Sequence, residues 1–525
     1  MKNLNKLILL AFLICIYSCS GGGGGGSDSE LSTPDPDLNG QTDVNQNGGT
    51  PPLVGMIYYI DPDNGNDSTG QVNDPNYPFQ HWSAVTWTPG CMYLQKRGTT
   101  THEHNLSYTG GGYATIVVRV TGTSSNPITI GAYGTGTAPI IDGNMELIYG
   151  IVIISRSYVT IQDIEIKNVY ESGIEIRSSN ASLSNIVVQR VYAHHCGGKG
   201  VFFYGSGASN KITNCSIQDS IFNNCAYGVF ALNYVEDITI SNTKASVCDL
   251  MGFASGSSEN NRCYRIKFYD CESYNNLANV PPWANGVSYT KAESRALVAG
   301  KGRYICLVSH TSSSKNQPES GANWLTYWYQ YSDWTGDEGA GFQHDNNSID
   351  CEFWRCNSHN NEGHGFQSYR SYNSTIINCF AHENDGYGLV FNRPNGTNVS
   401  YNNTSVNNLF GAAVGSSQTG STVMFANNIL AYNNRGLNLY SASNVTEDHN
   451  CFYSNKDYDY FSGSLGRLTL DVTDITFDPK LTGYIIASDS PCRNNGASIS
   501  TVNTDYLNYP RPYGSAYDIG CYEWR

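Results

Sequence analysis

Two stretches of this chain decide the fold: NSIDCEFWRCNSHNNEGHGF, from Asn347 to Phe366, and NSTIINCFAHENDGYGL, from Asn373 to Leu389. Each runs from a segment rich in β-branched and aromatic residues through an Asn-rich turn to a glycine. The same unit recurs along the middle of the chain, and apart from one gap its spacing stays between 23 and 28 residues. Such a period, with several short strands per unit, predicts a solenoid. The glycines that align, one per unit, are Gly173, Gly200, Gly228, Gly252, Gly341, Gly365, Gly388, Gly411 and Gly436.

Asparagines recur with the same period. Asn224, Asn361, Asn384 and Asn407 each fall four residues before a glycine, so stacked coils would place them about 4.8 Å apart in a column. Side-chain amides in such a column can hydrogen-bond the turns above and below. The pattern resembles the asparagine ladder of pectate-lyase-like proteins, which implies an all-β right-handed parallel β-helix. Residues 57–79 and 517–524 resemble the opening and closing segments of secreted bacterial proteins of this fold.

Cysteines form columns too. Cys271, Cys356 and Cys379 share one position, where a small apolar residue suits the interior, and we expect buried free thiols. Cys196, Cys225 and Cys248 occupy nearly equal positions in successive coils, so one pair could form a disulfide in an oxidising compartment. No cysteine or histidine cluster has zinc spacing.

The net charge limits which classes of molecule this protein can bind. The formal net charge is −15 and charged residues make up 14% of the chain, with no run of Lys and Arg, which argues against nucleic acid. An anionic sugar polymer would need local cations, which an acidic surface could recruit as calcium.

The N-terminus predicts export. Residues 1–19 have a basic start and an apolar run too short to span a membrane, and Ile16 to Cys19 resembles a bacterial lipobox with Cys19 as the lipidated residue. Residues 20–55 are rich in Gly, Ser, Pro, Asp and Asn, which predicts a disordered tether. This arrangement resembles surface lipoproteins of Bacteroidetes-type bacteria, so we expect a monomer anchored to the outer membrane.

One interruption divides the solenoid. The period breaks between Gly252 and Gly341, so we predict β-helix over 56–280 and 334–525 with an inserted β-module at 281–333. The module resembles carbohydrate-binding modules of families 5 and 12. That resemblance implies sugar contact by aromatic rings, although for Trp324 a place in the module's own core is equally plausible. The residues that match are Trp283, Tyr304, Trp324, Tyr327 and Trp328.

Carboxylates also align. Asp249, Glu338, Glu362 and Asp385 each stand three residues before a glycine. Like charges about 5 Å apart are costly unless a cation or shared protons compensate. Calcium suits hard oxygen ligands on adjacent turns. The alternative is that these carboxylates cap a solvated turn, where Asp and Glu are common.

The segments NEGHGF and NDGYGL, at 361–366 and 384–389, resemble the calcium-bearing coil of family 9 polysaccharide lyases. That resemblance implies β-elimination on a uronate-containing glycan, with calcium acidifying the proton and a lysine removing it. Here the lysine position holds Gln343, Gln367 and Val390, so the base would have to be another residue. The candidates are Arg370, Arg393, His344 and His364, although the two arginines could instead clamp an anionic group.

Alternation after each glycine predicts the substrate groove. It points Phe342, Phe366 and Leu389 inward and places a buried histidine at His344. The outward set, which we take as carbohydrate-binding or catalytic, is Gln343, Asp345, Gln367 and Tyr369. The fold resemblance favours a polysaccharide lyase. Two alternatives stay open: a glycoside hydrolase that pairs Asp345 with Glu338 or Glu362, and a glycan-binding protein without catalysis.

Overall fold

A computed structural model of the protein describes residues 55–104, 113–258, 261–277, 280–333, 339–415, 420–440, 444–463, 466–467 and 470–525. Cys19, the predicted signal segment, the tether up to residue 54 and Glu338 lie outside these described residues. Within them, no helix has both the length and the apolar character needed to cross a membrane.

Short strands account for nearly all regular structure. The first twenty, with a 3₁₀ turn at Trp82–Ala84, are β1 (Ile57–Ile60), β2 (Met92–Lys96), β3 (Thr100–Thr101), β4 (Ala114–Val118), β5 (Ile128–Tyr133), β6 (Ile140–Asp142), β7 (Tyr149–Ile154), β8 (Val159–Lys167), β9 (Ser172–Arg177), β10 (Leu183–Ser184), β11 (Ile186–His194), β12 (Lys199–Tyr204), β13 (Ile212–Gln218), β14 (Ile221–Asn223), β15 (Tyr227–Leu232), β16 (Val235–Ser241), β17 (Lys244–Ser246), β18 (Met251–Gly256), β19 (Cys263–Tyr269) and β20 (Glu272–Tyr274).

The remaining elements, with the single α-helix α1 (Trp324–Tyr327), are β21 (Ser288–Tyr289), β22 (Arg295–Val298), β23 (Gly302–Cys306), β24 (His310–Thr311), β25 (Trp328–Ser332), β26 (Ala340–His344), β27 (Ser348–Ile349), β28 (Glu352–Trp354), β29 (Asn357–His359), β30 (Phe366–Tyr369), β31 (Thr375–Ile377), β32 (Phe380–His382), β33 (Tyr387–Asn392), β34 (Thr397–Tyr401), β35 (Thr404–Val406), β36 (Phe410–Val414), β37 (Thr422–Ala426), β38 (Ile429–Ala431), β39 (Arg435–Leu439), β40 (Val445–Asp448), β41 (Cys451–Tyr453), β42 (Tyr458–Ser462), β43 (Gly466–Arg467), β44 (Leu481–Thr482) and β45 (Ile485–Ile486).

These strands build a parallel β-helix, as the sequence predicts. One face is a 13-stranded sheet in the order β4-β7-β9-β12-β15-β18-β26-β30-β33-β36-β39-β42-β43, parallel except for the terminal β43. The other two faces merge into a 25-stranded sheet, because β8 and β11 run continuously around a corner with a left-handed residue, Asp163 or Arg190, at the bend. Each coil of the chain therefore contributes one rung to every face.

The gap in the period is an insertion between adjacent rungs. β18 pairs with β26 and β20 pairs with β29, both in parallel, although nearly ninety residues separate the partners in sequence. Residues of the intervening segment form two small antiparallel sheets, β21-β24 and β22-β23-β25, outside the solenoid sheets.

The interior is a stack of like residues. Phe342 lies 4.9 Å from both Phe253 and Phe366, ring centroid to centroid, and all three side chains are fully buried. Each such ring contributes roughly 2 to 3 kcal/mol through its burial. His344 also points inward as predicted, with Nδ1 2.8 Å from the Ser255 hydroxyl and its ring stacked on Phe353.

An asparagine ladder runs up one corner, but only half of the predicted residues belong to it. Asn361 and Asn384 are members, whereas Asn224 and Asn407 are not. Those two residues lie one position before the ladder position, at the bend of the turn. Their backbones are left-handed, with φ of 50° and 55°, a conformation that asparagine tolerates. The amide-to-amide chain runs through Asn276, Asn361, Asn384, Asn408, Asn433 and Asn455.

The predicted cysteine columns are continuations of asparagine ladders. Cys248 N donates to Asn276 Oδ1, so Cys196, Cys225 and Cys248 occupy the ladder position on earlier rungs. Cys379 N donates to Asn403 Oδ1 in a second ladder in the same way. All fourteen described cysteines are buried and free, which leaves the suggested disulfide among Cys196, Cys225 and Cys248 unformed.

The C-terminal segment closes the solenoid against its 25-stranded side. Cys521 N donates to Thr404 Oγ1, and Asn402 Nδ2 donates to the Asp518 carbonyl. A fully buried ion pair, Arg511 Nη1 to Glu523 Oε2 at 2.8 Å, holds the segment together. The 13-stranded face is left as the open side of the molecule's second half.

Candidate functional site

The predicted groove residues stand on one wall, the outer face of β26, β30 and β33. Gln343 pairs with Gln367, and Gln367 pairs with Val390, one rung apart at about 4.8 Å. Phe342, Phe366 and Leu389 face the core, so the alternation inferred from sequence is confirmed. Gln343 is buried, and its Oε1 has no hydrogen-bond partner among the described residues.

Asp345 ends strand β26 on the same wall. Its side chain is 5% exposed, and burial raises the pKa of its carboxyl to about 6, against the lowering effects of the Asn346 N–H and the Arg370 guanidinium. The Asn346 N–H donates to Oδ1 at 2.7 Å. A carboxyl group that titrates near neutrality can exchange a proton with a substrate.

Two arginines extend the wall from Asp345. Arg370 and Arg393 occupy equivalent turns on adjacent rungs, where Arg370 N donates to the Asn392 carbonyl, and both have a left-handed backbone. The Arg370 guanidinium lies 5.1 Å from the centre of the Tyr369 ring, and Arg393 is exposed. Guanidinium groups on adjacent rungs can bind a carboxylate or a sulfate.

His364 does not fit the role of a base. Burial lowers the pKa of its imidazole to about 4, so the ring is neutral at pH 7. The Tyr387 N–H donates to His364 Nδ1 at 3.1 Å, which occupies the one acceptor nitrogen of a neutral ring. His344 is excluded by its inward position. Arginines stay protonated in proteins, so Asp345 is the member of the candidate set best suited to accept a proton.

The predicted pairing of Asp345 with Glu362 is not formed, and Glu338, the other predicted partner, lies outside the described residues. Asp345 follows β26, whereas Glu362 lies before the N-terminal end of the neighbouring strand. Five residues of extended strand correspond to about 16 Å. That separation exceeds the 6.5 to 9.5 Å, roughly, that inverting glycosidases use.

The predicted acidic column divides. Asp385 stacks on Glu362, since Asp385 N donates to the Asn361 carbonyl one rung below. Asp249 is separated from Glu362 by the rung of Leu277, about 10 Å in all, and its carboxylate is buried in an ion pair with Arg295. The placement of Asp249 in a calcium site is therefore wrong.

Two stacked carboxylates are fewer ligands than calcium requires. Calcium takes six to eight oxygen ligands, of which several are normally carboxylates. Over the part of the chain that the structure describes, no group of three His, Cys, Asp or Glu side chains could hold a metal ion. Glu338, the remaining member of the predicted column, lies outside the described residues, and Glu362 and Asp385 alone do not complete a calcium centre, so we derive no step through one.

The inserted segment buries most of its predicted sugar-binding aromatics. Tyr304 and Trp328 are 0% and 1% exposed and form a core with Tyr289 and Cys306, so their assignment to sugar contact is wrong. The small segment has little other apolar material with which to build a core. Trp283 packs partly buried against this cluster.

The segment is fixed to the solenoid by a buried polar network. Arg295 contacts Asp249 Oδ2 at 2.8 Å and donates to the Asn224 carbonyl at 2.9 Å. Arg303 donates to the Asp249 carbonyl, and the Tyr331 hydroxyl donates to its carboxylate. These contacts hold the segment beside the N-terminal strands of the 13-stranded sheet.

Charged side chains on that earlier part of the same face were not among the predicted site residues. Glu175 and Arg177 form an ion pair of 2.6 Å, and the Arg177 guanidinium lies 5.1 Å from the Tyr204 ring centre. Lys199 pairs with Glu171 at 3.5 Å. Glu175 and Arg177 occupy the outward offsets that hold Gln343 and Asp345 on later rungs, so applying the alternation to every coil would have found these two residues.

Comparison with known proteins agrees with this architecture. The family described as "Right handed beta helix region" matches residues 147–313 and 331–471, more than half of the chain. Among curated proteins, no relative matches.

Solved structures are similar over most of their length. The crystal structure of pectate lyase Pel9A is 17% identical with a TM-score of 0.50, over 89% of this chain and 96% of that one. The complex structure of XylC with xylose is 9% identical with a TM-score of 0.54, over 90% and 98%. The GH136 lacto-N-biosidase from Eubacterium ramulus is 13% identical with a TM-score of 0.48, over 75% and 67%.

Proposed function

We propose, since this chain belongs to the right-handed β-helix region family, that it binds a polysaccharide along its 13-stranded face and cleaves it there. The similar folds of a pectate lyase and of a protein that holds xylose support a glycan as the ligand. The amides of Gln343 and Gln367, neighbours on adjacent rungs, support the same ligand class, because amide groups can donate to and accept from sugar hydroxyls.

The chemistry supported best is β-elimination on an anionic, uronate-containing glycan. The observation that carries it is the raised pKa of the Asp345 carboxyl group beside Arg370, on a wall where the described Glu362 lies too far from Asp345 to act with it in hydrolysis. Arg370 and Arg393 would bind the uronate carboxylate and so acidify the neighbouring C–H.

Asp345 and solvent together account for every proton transferred in the elimination. The Asp345 carboxylate takes the proton next to the uronate carboxyl group, and the electron pair left behind forms a carbon–carbon double bond. The bond to the leaving sugar oxygen breaks, and that oxygen takes a proton from solvent. This route replaces the lysine and calcium of family 9 lyases with a carboxylate and two arginines.

A panel of anionic and neutral polysaccharides tests the proposal. Cleavage by elimination produces unsaturated ends that absorb in the ultraviolet, whereas hydrolysis yields reducing ends without that absorbance. We expect absorbance to rise on at least one uronate polymer. Reducing ends without absorbance would establish hydrolysis, and binding without either signal would establish the non-catalytic alternative.

The same assay, run with and without a chelator, tests whether cleavage depends on calcium. The stacked Glu362 and Asp385 would attract a cation even without forming a complete centre. If a chelator removes activity and Glu362→Gln reproduces the loss, the cation belongs to this column. If neither change matters, Arg370 and Arg393 supply the charge.

We further propose that the protein is a monomeric lipoprotein exposed at the surface of the outer membrane, anchored through Cys19. The support is the basic and apolar leader followed by the lipobox-like segment and the Gly- and Ser-rich residues 20–55. With Cys19→Ser, the protein should move from the membrane fraction to the soluble fraction.

A further inference from the structure

A patch of aromatic side chains lies on the 13-stranded face beyond the predicted groove. It consists of Tyr387, Phe410, Arg435, Tyr440, Tyr458 and Phe461, which we call the aromatic platform. Register places Tyr387, Phe410, Arg435 and Tyr458 at one outward offset on four successive rungs. The platform is thus continuous with the wall that carries Gln343, Gln367 and Asp345.

The platform's groups hold each other in place. The Arg435 guanidinium lies between two rings, 4.8 Å from the centre of Phe410 and 5.4 Å from that of Tyr458. Tyr387 and Phe410 have ring centroids 4.6 Å apart, as do Tyr458 and Phe461. These contacts fix the rings before any ligand arrives, which lowers the entropy cost of binding.

Polar atoms border the rings. The hydroxyls of Tyr387 and Tyr440 are 2.9 Å apart, and Asn438 Nδ2 donates to the Tyr387 hydroxyl at 3.3 Å. Tyr440 keeps 47% of its surface exposed although it is large and partly apolar. Flat rings with polar edges match a pyranose, whose C–H face is apolar and whose rim carries hydroxyls.

The distance from the groove suits a polymer. Four rungs separate β26, which precedes Asp345, from β39, which begins at Arg435, or about 19 Å. The platform begins nearer, at Tyr387 on β33, two rungs or about 10 Å from β26. A monosaccharide at Asp345 could not reach Arg435, Tyr440 or Tyr458, whereas a chain of several sugars laid along the face would cross them.

Resting on the proposed function, we infer that the aromatic platform binds the continuation of the same polysaccharide through its rings, while Arg435, paired with Asp457 at 3.3 Å, holds those rings in place. The occupant is a glycan chain already held at the groove. Consequently the protein prefers long chains, because short fragments leave the platform unused.

The test compares polymer with short oligosaccharides of the same glycan, using the double variant Tyr440→Ala/Tyr458→Ala. We expect KM for the polymer to rise about tenfold, as two lost stacking contacts imply, with kcat and all values for short substrates unchanged. Tyr440→Phe, which keeps the ring and loses the hydroxyl, should raise the polymer KM less than Tyr440→Ala does. An unchanged polymer KM in the folded double variant, with its melting temperature retained, would overturn the inference.

A matched control is Tyr513→Ala, which removes a tyrosine that is 57% exposed on the C-terminal segment. It should leave polymer KM unaltered; an equal rise there would show a non-specific effect and overturn the inference.

Failure of the proposed function is distinguishable from failure of the platform. If wild type cleaves no glycan, the cleavage proposal fails, and retardation of the protein in gels containing uronate polymers tests the platform alone. Retardation lost in the double variant supports the platform. Equal retardation of both proteins, or none of wild type, contradicts it.

Discussion

Asp345 combines two opposing requirements in one side chain. Burial favours its protonated form and raises the pKa to about 6, while the Arg370 charge and the Asn346 N–H favour the carboxylate. The balance leaves a carboxyl group that can hold or release a proton near neutral pH, which is the property a proton-transfer group needs.

The pH dependence of cleavage follows from that balance. Because the carboxylate is the form that accepts the substrate proton, we expect kcat/KM to rise through about pH 6 and to level off above it. The measurement is the initial rate of absorbance increase across buffers from acid to weakly alkaline pH. A rate that falls through this range would assign Asp345 the role of an acid instead.

Stability should respond in the opposite direction. Since the folded-state pKa is above the ordinary value of 3.8, native Asp345 binds its proton more tightly than the unfolded chain, so its stabilising contribution is lost as pH rises through about 6. Asp345→Asn should therefore raise the free energy of unfolding at pH 8, by up to about 3 kcal/mol, and change it little at pH 3. Denaturant unfolding at both pH values checks this, and equal stability at pH 8 would contradict it.

The sequence predicted where some of the individual site residues point. Period-two alternation after a glycine is enough to place Gln343, Asp345, Gln367 and Tyr369 outward. It cannot indicate that the His364 acceptor nitrogen is occupied by Tyr387 N–H, or that Trp328 lies in a core, because both depend on contacts between distant parts of the chain.

Among structural elements, the asparagine ladders connect the rungs at two corners. Asn384 shows the usual pattern: its Nδ2 donates to the Ser358 carbonyl and to Asn408 Oδ1, and its Oδ1 accepts from Asn361. The ladder was predictable in kind, but its exact members were not. Each turn carries a left-handed residue and then the ladder residue, and both are often asparagine.

Removing a ladder amide should be costly. Asn384→Ala leaves buried donors and acceptors unpaired on both neighbouring rungs, so we expect a loss of about 3 kcal/mol in the free energy of unfolding. Asn407→Gly is the matched control, because this exposed residue has φ 55° and glycine adopts that conformation freely. Chemical denaturation of both variants measures the difference, and comparable losses would place Asn407 in the ladder after all.

The inserted segment depends on Arg295. Arg295→Met leaves the Asp249 carboxylate buried without its ion-pair partner, which should lower the free energy of unfolding by about 3 to 5 kcal/mol. The control variant is Arg355→Met. It removes the ion pair between Arg355 and the half-exposed Asp270, which should lower the free energy of unfolding by about 1 kcal/mol or less. If both variants lose equally little, the segment is not held by this network.

For the whole molecule, the period of the glycines predicted a solenoid with one interruption, and the resemblance of the asparagine pattern to pectate-lyase-like proteins implied the right-handed parallel β-helix that the structure has. A strict coil repeat makes distant residues vertical neighbours, so a sequence offset becomes a spatial column. The predicted acidic column failed where the insertion changed the offset. The rung that carries Leu277 lies between the rungs of Asp249 and Glu362, so these two carboxylates are not neighbours. Charge and pKa at the wall could not be predicted, because they depend on how deeply each column is buried.

The 13-stranded face then has a consistent plan along its length. Ion-paired charges and aromatic rings occupy the rungs beside the inserted segment, amides and Asp345 occupy the middle, and the aromatic platform follows. Such an extended, repetitive face suits an extended, repetitive ligand, which is why we assign the protein to a polymer and not to a small molecule.

One measurement tests the central claim that this face cleaves a glycan through Asp345. Wild type and Asp345→Asn are compared on the uronate polymer that wild type degrades, by ultraviolet absorbance of the unsaturated ends and by retardation in polymer-containing gels. We predict a fall in kcat of at least about 100-fold with retardation unchanged, because proton transfer is lost while the binding wall stays intact. An Asp345→Asn variant that cleaves the polymer as fast as wild type would contradict the account.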